Sequence, residues 1–190
     1  MAKITFRTIL VIGEDHRNIA RKYSADTEGV DKAYYKYERC QQHRLEVTGE
    51  EGDFSDPFPL KDGGKSYSAR FNDIDWSRIH RSPRQIELST RAWELVVEGD
   101  EPRNDDEKAM KYRLSNRIFY FVENFSSKQQ YVDYYSNLWY YGVATEESYD
   151  EVDTANSSII EWCIGFFDKF IKPLEESNPL ITIYETHSLD

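Results

Sequence analysis

KITFRTILVIG, residues 3–13, decides the fold. Its β-branched and apolar residues fall on both alternating faces, so it reads as a strand covered on two sides and ended by Gly13. LITIYET, residues 180–186, repeats the pattern near the other end of the chain. Two such strands laid side by side would form a small sheet and bring the chain ends together. Between them the apolar period is mostly three to four residues, which is helical. The expected class is therefore α+β: a mostly helical single domain with a small sheet made by the N- and C-terminal strands.

Working inward from the first strand, GEDHRNIARKYS reads as a short helix or turn. Val30, Ala33, Tyr34, Tyr37, Gln41 and Leu45 then mark an amphipathic helix over 30–45. Residues 46–66 are polar and rich in Gly, Asp and Pro, as in a long surface loop or a weak domain boundary. Within and just after them, PFPL, a DGG turn and KSYSARF could form a central hairpin, its first arm confined to an edge by Pro57 and Pro59.

Helix signals dominate beyond residue 75. Ser82, Pro83 and Gln85 supply an N-cap, a Pro at the first helical position and a capping-box partner, and the helix should stop near Gly99. A second should start at Asn104, with Asp105, Asp106 and Glu107 in its first turn. Its expected buried stripe is Met110, Leu114, Ile118, Phe121 or Val122, and Phe125. Ser127 and Gln130 repeat the capping-box spacing before a third helix, expected to bury Tyr131, Val132, Tyr135, Leu138 and Trp139 and to close at Gly142. A fourth should cover 156–171, limited by Pro173.

The 190 residues suit one domain spanning 1–190, and 15% aromatic residues provide a core without staples. Only Cys40 and Cys163 are present, without disulfide-framework or metal-ligand spacing, which predicts a reduced, cytoplasmic setting. No apolar run approaches the ~20 residues of a membrane span, and the N-terminal stretch lacks the features of a signal peptide. The formal net charge is −11, unevenly spread: +2 over 1–49, −3 over 50–98 and −10 over 99–190. Direct binding to nucleic acid is disfavoured by that acidity, whereas a basic protein, or the nucleic-acid-binding groove of another protein, is a suitable partner.

Two stretches carry candidate chemistry. FNDIDWSRIH, 71–80, would set Asp73 and Asp75 on one face if extended, with His80 as a third ligand or general base. Catalytic use of Asp73, Asp75 and His80 would make the protein a metal-dependent hydrolase or nuclease. Against this, Asp75 is a good N-cap for a short WSRIH helix, and capping explains more of the neighbouring residues. ATEESYDEVD, 144–153, concentrates acidic groups in what reads as a solvated loop, too poor in glycine for an EF-hand. Glu146, Glu147, Asp150 and Glu151, with Tyr140 and Tyr141 beside them, form the expected partner-binding surface. Glu50, Glu51, Asp53, Asp56 and the run Asp100 to Glu107 could extend it. HExxH, CxxC, GxSxG, GxGxxG and the P-loop pattern are absent, so no cofactor or resident metal is expected.

The expected function is thus an acidic, non-enzymatic interaction module that docks on a basic partner. Its limiting form is an inhibitor imitating nucleic-acid charge, a style of small phage and mobile-element accessory proteins; that comparison is an analogy from size and acidity. The alternative is the Asp/Asp/His hydrolase, and a third option is a structural or assembly subunit.

Overall fold

The first strand, β1 (Ile4–Ile12), lies in the middle of a five-stranded mixed sheet. The computed structural model describes residues 4–25, 56–152 and 159–189. The helix expected over 30–45, the first ten residues of the 46–66 stretch, and Glu50, Glu51, Asp53 and Asp153 lie outside the described residues. Contacts divide the chain into two compact units: residues 1–76 with 139–190, which carry the sheet, and residues 77–138, which are helical.

In the sheet unit, β1 pairs antiparallel with the C-terminal strand β7 (Leu180–Leu189) in an unbroken register from Ile4 opposite Leu189 to Ile12 opposite Ile181. The terminal strands thus form the sheet's centre, as their two-sided apolar pattern requires. Ile9 and Val11 on one face and Leu10 and Ile12 on the other are all buried, each contributing about 1.5–3 kcal/mol by leaving water. β4 (Ser68–Arg70) adds antiparallel to β7. On the other side β5 (Gly142–Ala144) runs parallel to β1, and β6 (Tyr149–Glu151) returns antiparallel to β5.

α1 (His16–Ala25) leaves β1 through Gly13, whose φ of +142° is open only to glycine. A Cβ there would also stand 2.6 Å from Ile19 Cδ1. Ile19 and Ala20 of α1 close over Ile9, Val11, Ala144 and Tyr184. The central hairpin is present: β2 (Phe58–Pro59) pairs with β3 (Lys65–Ser66), and the Asp62 carboxylate accepts the Gly64 N–H at 2.8 Å within the turn. Here α6 (Ile159–Phe166) continues as a π turn, Phe167–Ile171, and buries Cys163 completely. Burial pushes that thiol up to about 12, so it is an inert core residue.

In the helical unit, α2 (Pro83–Trp93) starts as expected: Ser82 Oγ accepts the Gln85 N–H at 3.3 Å and donates to Gln85 Oε1 at 2.9 Å. A π turn, Glu94–Glu98, extends it to Gly99, which ends it with φ +82°. α3 (Asp105–Leu114) is capped by Asn104, whose side chain accepts the Glu107 N–H at 2.9 Å. The long helix expected beyond Leu114 is instead broken by a 3-10 turn at Ser115–Arg117 and resumes as α4 (Ile118–Asn124). This break rotates the faces out of register. Phe121 and Phe125 are buried, Met110 and Leu114 half-buried, and Ile118 and Val122 exposed, so the continuous buried stripe is not formed.

α5 (Lys128–Ser136) begins at the predicted Ser127 cap but ends six residues before Gly142. Asn137 is already extended, and Gly142 serves β5 instead: a Cβ there would come within 3.1 Å of the Asp150 carbonyl. Tyr131 and Val132 are buried as expected, while Tyr135 is exposed.

Two carboxylates of the acidic run from Asp100 to Glu107 are engaged by a buried cation, while Glu101, Asp105 and Asp106 stay exposed. The Arg91 guanidinium, only 8% exposed, pairs with Glu94, Asp100 and Glu107 and donates to the Glu101 carbonyl. Lys128 adds bonds to Glu94 and Glu98. Hydrogen bonds from these cations hold the Glu94 and Glu107 carboxyls below the usual range.

Candidate functional site

The residues expected to carry chemistry lie in ordinary structural surroundings. Phe71–Asp73 is a 3-10 turn rather than extended chain, so Asp73 and Asp75 do not share a strand face. Asp73 is exposed, and its carbonyl accepts the Lys61 N–H at 2.9 Å. Asp75 precedes a 3-10 turn, Trp76–Arg78, and its N–H donates to the Pro59 carbonyl at 2.8 Å. His80, in the helical unit, accepts the Leu138 N–H on Nδ1 at 3.3 Å, which leaves the neutral ring's proton on Nε2. Among the described residues no group of three or more His, Cys, Asp and Glu side chains is placed to hold a metal ion.

The acidic stretch is a β-hairpin, not a loop. Thr145 Oγ1 accepts the N–H groups of Glu147 and Ser148 at 3.2 and 3.0 Å, closing a tight turn between β5 and β6. Glu146 and Glu147 stand exposed at its tip. Asp150 is half-buried beside Lys169 at 3.6 Å, and Glu151 accepts the Tyr149 hydroxyl at 3.0 Å. Tyr140 is 9% exposed and packs on Phe166, which makes it part of the core. Tyr141 is half-buried, its ring 5.0 Å from that of Trp139.

At the end of β1, Glu14 forms a two-point ion pair with Arg70, and His16 Nδ1 bonds the buried Tyr184 hydroxyl. Burial pushes the His16 imidazole below its ordinary 6.5. The contact satisfies the polar end of a core tyrosine.

The helical unit holds a groove lined by three of its helices. Gln85, Leu88, Ser89 and Ala92 of α2 follow one helical face, as do Met110, Arg113, Leu114 and Arg117 along α3 and its 3-10 extension. With Tyr131 and Tyr135 of α5 they line a groove of about 500 Å³. Its aromatic wall is fixed from behind: Tyr131 stacks on Phe121 at 4.6 Å and meets Phe125 edge-on at 5.1 Å. Burial pushes the Tyr131 and Tyr135 hydroxyls upward, aided at Tyr135 by a hydrogen bond with Tyr120, so both stay neutral. The α2 polar groups are engaged within their own helix, Ser89 Oγ donating to the Gln85 carbonyl at 2.7 Å. The charge on the groove is therefore that of Arg113 and Arg117, which are exposed and form no ion pair among the described residues.

No family model, curated protein or solved structure matches this chain.

Next to the groove the helical unit is apolar on its outside. Leu88, Tyr112, Ile118, Phe119, Tyr120, Val122 and Tyr135 are the exposed large hydrophobic residues among those described, and all lie within residues 77–138. Tyr112 and Phe119 are 82% and 71% exposed. The periodic pattern misses this surface because it assigns Ile118 to the core and leaves Val122 there as an alternative to Phe121. One signal was present: IFYFV, 118–122, is five apolar residues in succession, and a helix cannot turn all five toward one core.

Proposed function

We propose that this protein is a non-enzymatic interaction module that docks a protein partner through its helical unit. The observation that carries the reading is the confinement of every exposed large hydrophobic residue, among those described, to residues 77–138. Exposed apolar side chains scattered over a whole surface are ordinary, whereas their concentration in one unit, with aromatic residues among them and two of them lining a groove, is what an interface presents. The test is affinity capture with the whole chain and with Phe119→Asp, which removes an aromatic anchor from the surface. A partner held by the native chain and lost by the variant, with unchanged circular dichroism, supports the reading. Equal recovery by both would remove this surface from the function.

The acidic hairpin supports a second contact, to a basic partner. Residues 77–138 contain ten basic and ten acidic residues, so the whole net charge of −11 belongs to the sheet unit. Glu146 and Glu147 are its exposed hairpin tip. Binding through that tip should weaken as salt rises, and Glu146→Lys with Glu147→Lys should abolish its salt sensitivity.

A further inference from the structure

We infer that the groove between α2, α3 and α5 receives an amphipathic helix whose apolar face is flanked by carboxylates. The inference rests on the docking role of the helical unit and names the chemistry of its partner. Three features select it.

Part of the groove lining is aliphatic: Leu88, Ala92, Met110 and Leu114 offer no strong hydrogen-bonding groups, so what packs against them is apolar. From Met110 to Arg117 the lining spans seven positions, roughly 10 Å of helix. That length matches two successive turns of a docked helix, read through anchors at i, i+3 or i+4, and i+7.

The cations are placed at one end. Asp105, Asp106 and Glu107 occupy the start of α3, and Lys108 pairs with Asp105 at 2.9 Å. Lys111 donates to the Asp100 carbonyl at 2.7 Å. Arg113 and Arg117 follow on the groove side, and no acidic residue occurs between Lys108 and Val122. Cations in a last turn do favour the helix C-terminus, but both side chains also line the groove, and Arg117 lies beyond the end of α3. A guanidinium at a groove rim fits a carboxylate in two-point geometry. A basic helix would meet repulsion there.

The aromatic wall is rigid. Tyr131 is held by Trp93, Phe121, Phe125 and Tyr135, with ring centroids between 4.6 and 5.5 Å away. A preformed wall lowers the ordering cost of docking.

The test uses the whole chain and a fluorescein-labelled helical peptide of roughly 20 residues, with Leu at i, i+4 and i+7 and Glu on the flanks. Fluorescence anisotropy is read against a Lys-for-Glu version and against a version with Leu spread around the helix. The Leu/Glu peptide should bind in the micromolar range and both controls about tenfold or more weaker. Arg113→Glu with Arg117→Glu should reverse the preference to the Lys peptide, and Leu88→Asp should abolish binding of either. Lys65→Glu, a charge change of the same sign on the exposed β3, should leave binding unchanged. Equal binding of the Glu and Lys peptides, no binding of the Leu/Glu peptide, or capture of a single-stranded oligonucleotide in its place would each overturn the inference. Should Phe119→Asp still lose a captured partner in that event, the docking role would stand and the helical acidic partner would fall.

Discussion

The sheet unit and the helical unit treat their apolar and charged residues in opposite ways. In the sheet unit, Ile9, Leu10, Val11, Ile181, Ile183 and Tyr184 are buried, while an excess of acidic residues carries the entire net charge. The helical unit has no net charge, ties its buried Arg91 to three carboxylates, and leaves seven large hydrophobic residues exposed. Burial of apolar surface is thus complete around the sheet centre and incomplete on the helices. A sheet centred on paired terminal strands holds itself together, and four short helices present a surface that their own core does not need.

The largest expected effect tests the first half of that contrast. Leu10→Ala, at a wholly buried position of β1, should cost about 2–5 kcal/mol in urea unfolding. A smaller loss would mean that the terminal strands are not the centre of the fold.

Acid should then act on the two units in different pH windows. The His16 imidazole in the sheet unit lies below its ordinary 6.5, and Glu94 and Glu107 in the helical unit lie below their ordinary 4.5. In each case the folded value is lower than the unfolded one, so the contribution is complete above the unfolded value and lost as pH falls. Amide protection of residues 4–12, measured relative to the intrinsic exchange rate at each pH, should therefore begin to fall as pH drops below 6.5, and that of 105–114 only below 4.5. A shared onset would show that the two units respond as one.

Removing a helix cap should come next in size. Asn104→Ala or Ser127→Ala deletes the side-chain acceptor for the N–H of Glu107 or Gln130 and should cost about 1 kcal/mol in thermal or denaturant unfolding. The smallest effect is the most informative. Ile118→Ala and Val122→Ala should change stability by roughly 0.5 kcal/mol or less while reducing partner capture. A loss of several kcal/mol would return both residues to the core.

Local chemistry was legible where short-range rules act alone. The caps at Ser82, Asn104 and Ser127, the stop at Gly99, the DGG turn and both terminal strands follow from spacing and residue type. Misreadings arose where one pattern serves two structures. Gly142 suits a helix end and also a strand that another backbone approaches closely, and contact with Asp150 selects the second. Tyr140 and Tyr135 come from one aromatic run, yet Tyr140 is buried and Tyr135 exposed, because the helix ends between them at Ser136. The acidic hairpin read as a loop because its two strands are only three residues each, and the pairing of β5 to β1 is a long-range fact.

The sequence by itself determined the α+β class, the central place of residues 4–12, the helix starts and the size of the acidic excess. Each depends on residue type and near-neighbour spacing. Tertiary structure alone decided that Asp100 and Glu107 pair with Arg91, that Ile118 and Val122 face outward, and that faces of three helices meet in one groove. Those outcomes depend on the break at Ser115–Arg117 and on packing between residues far apart in the chain, where periodicity along a single helix carries no information.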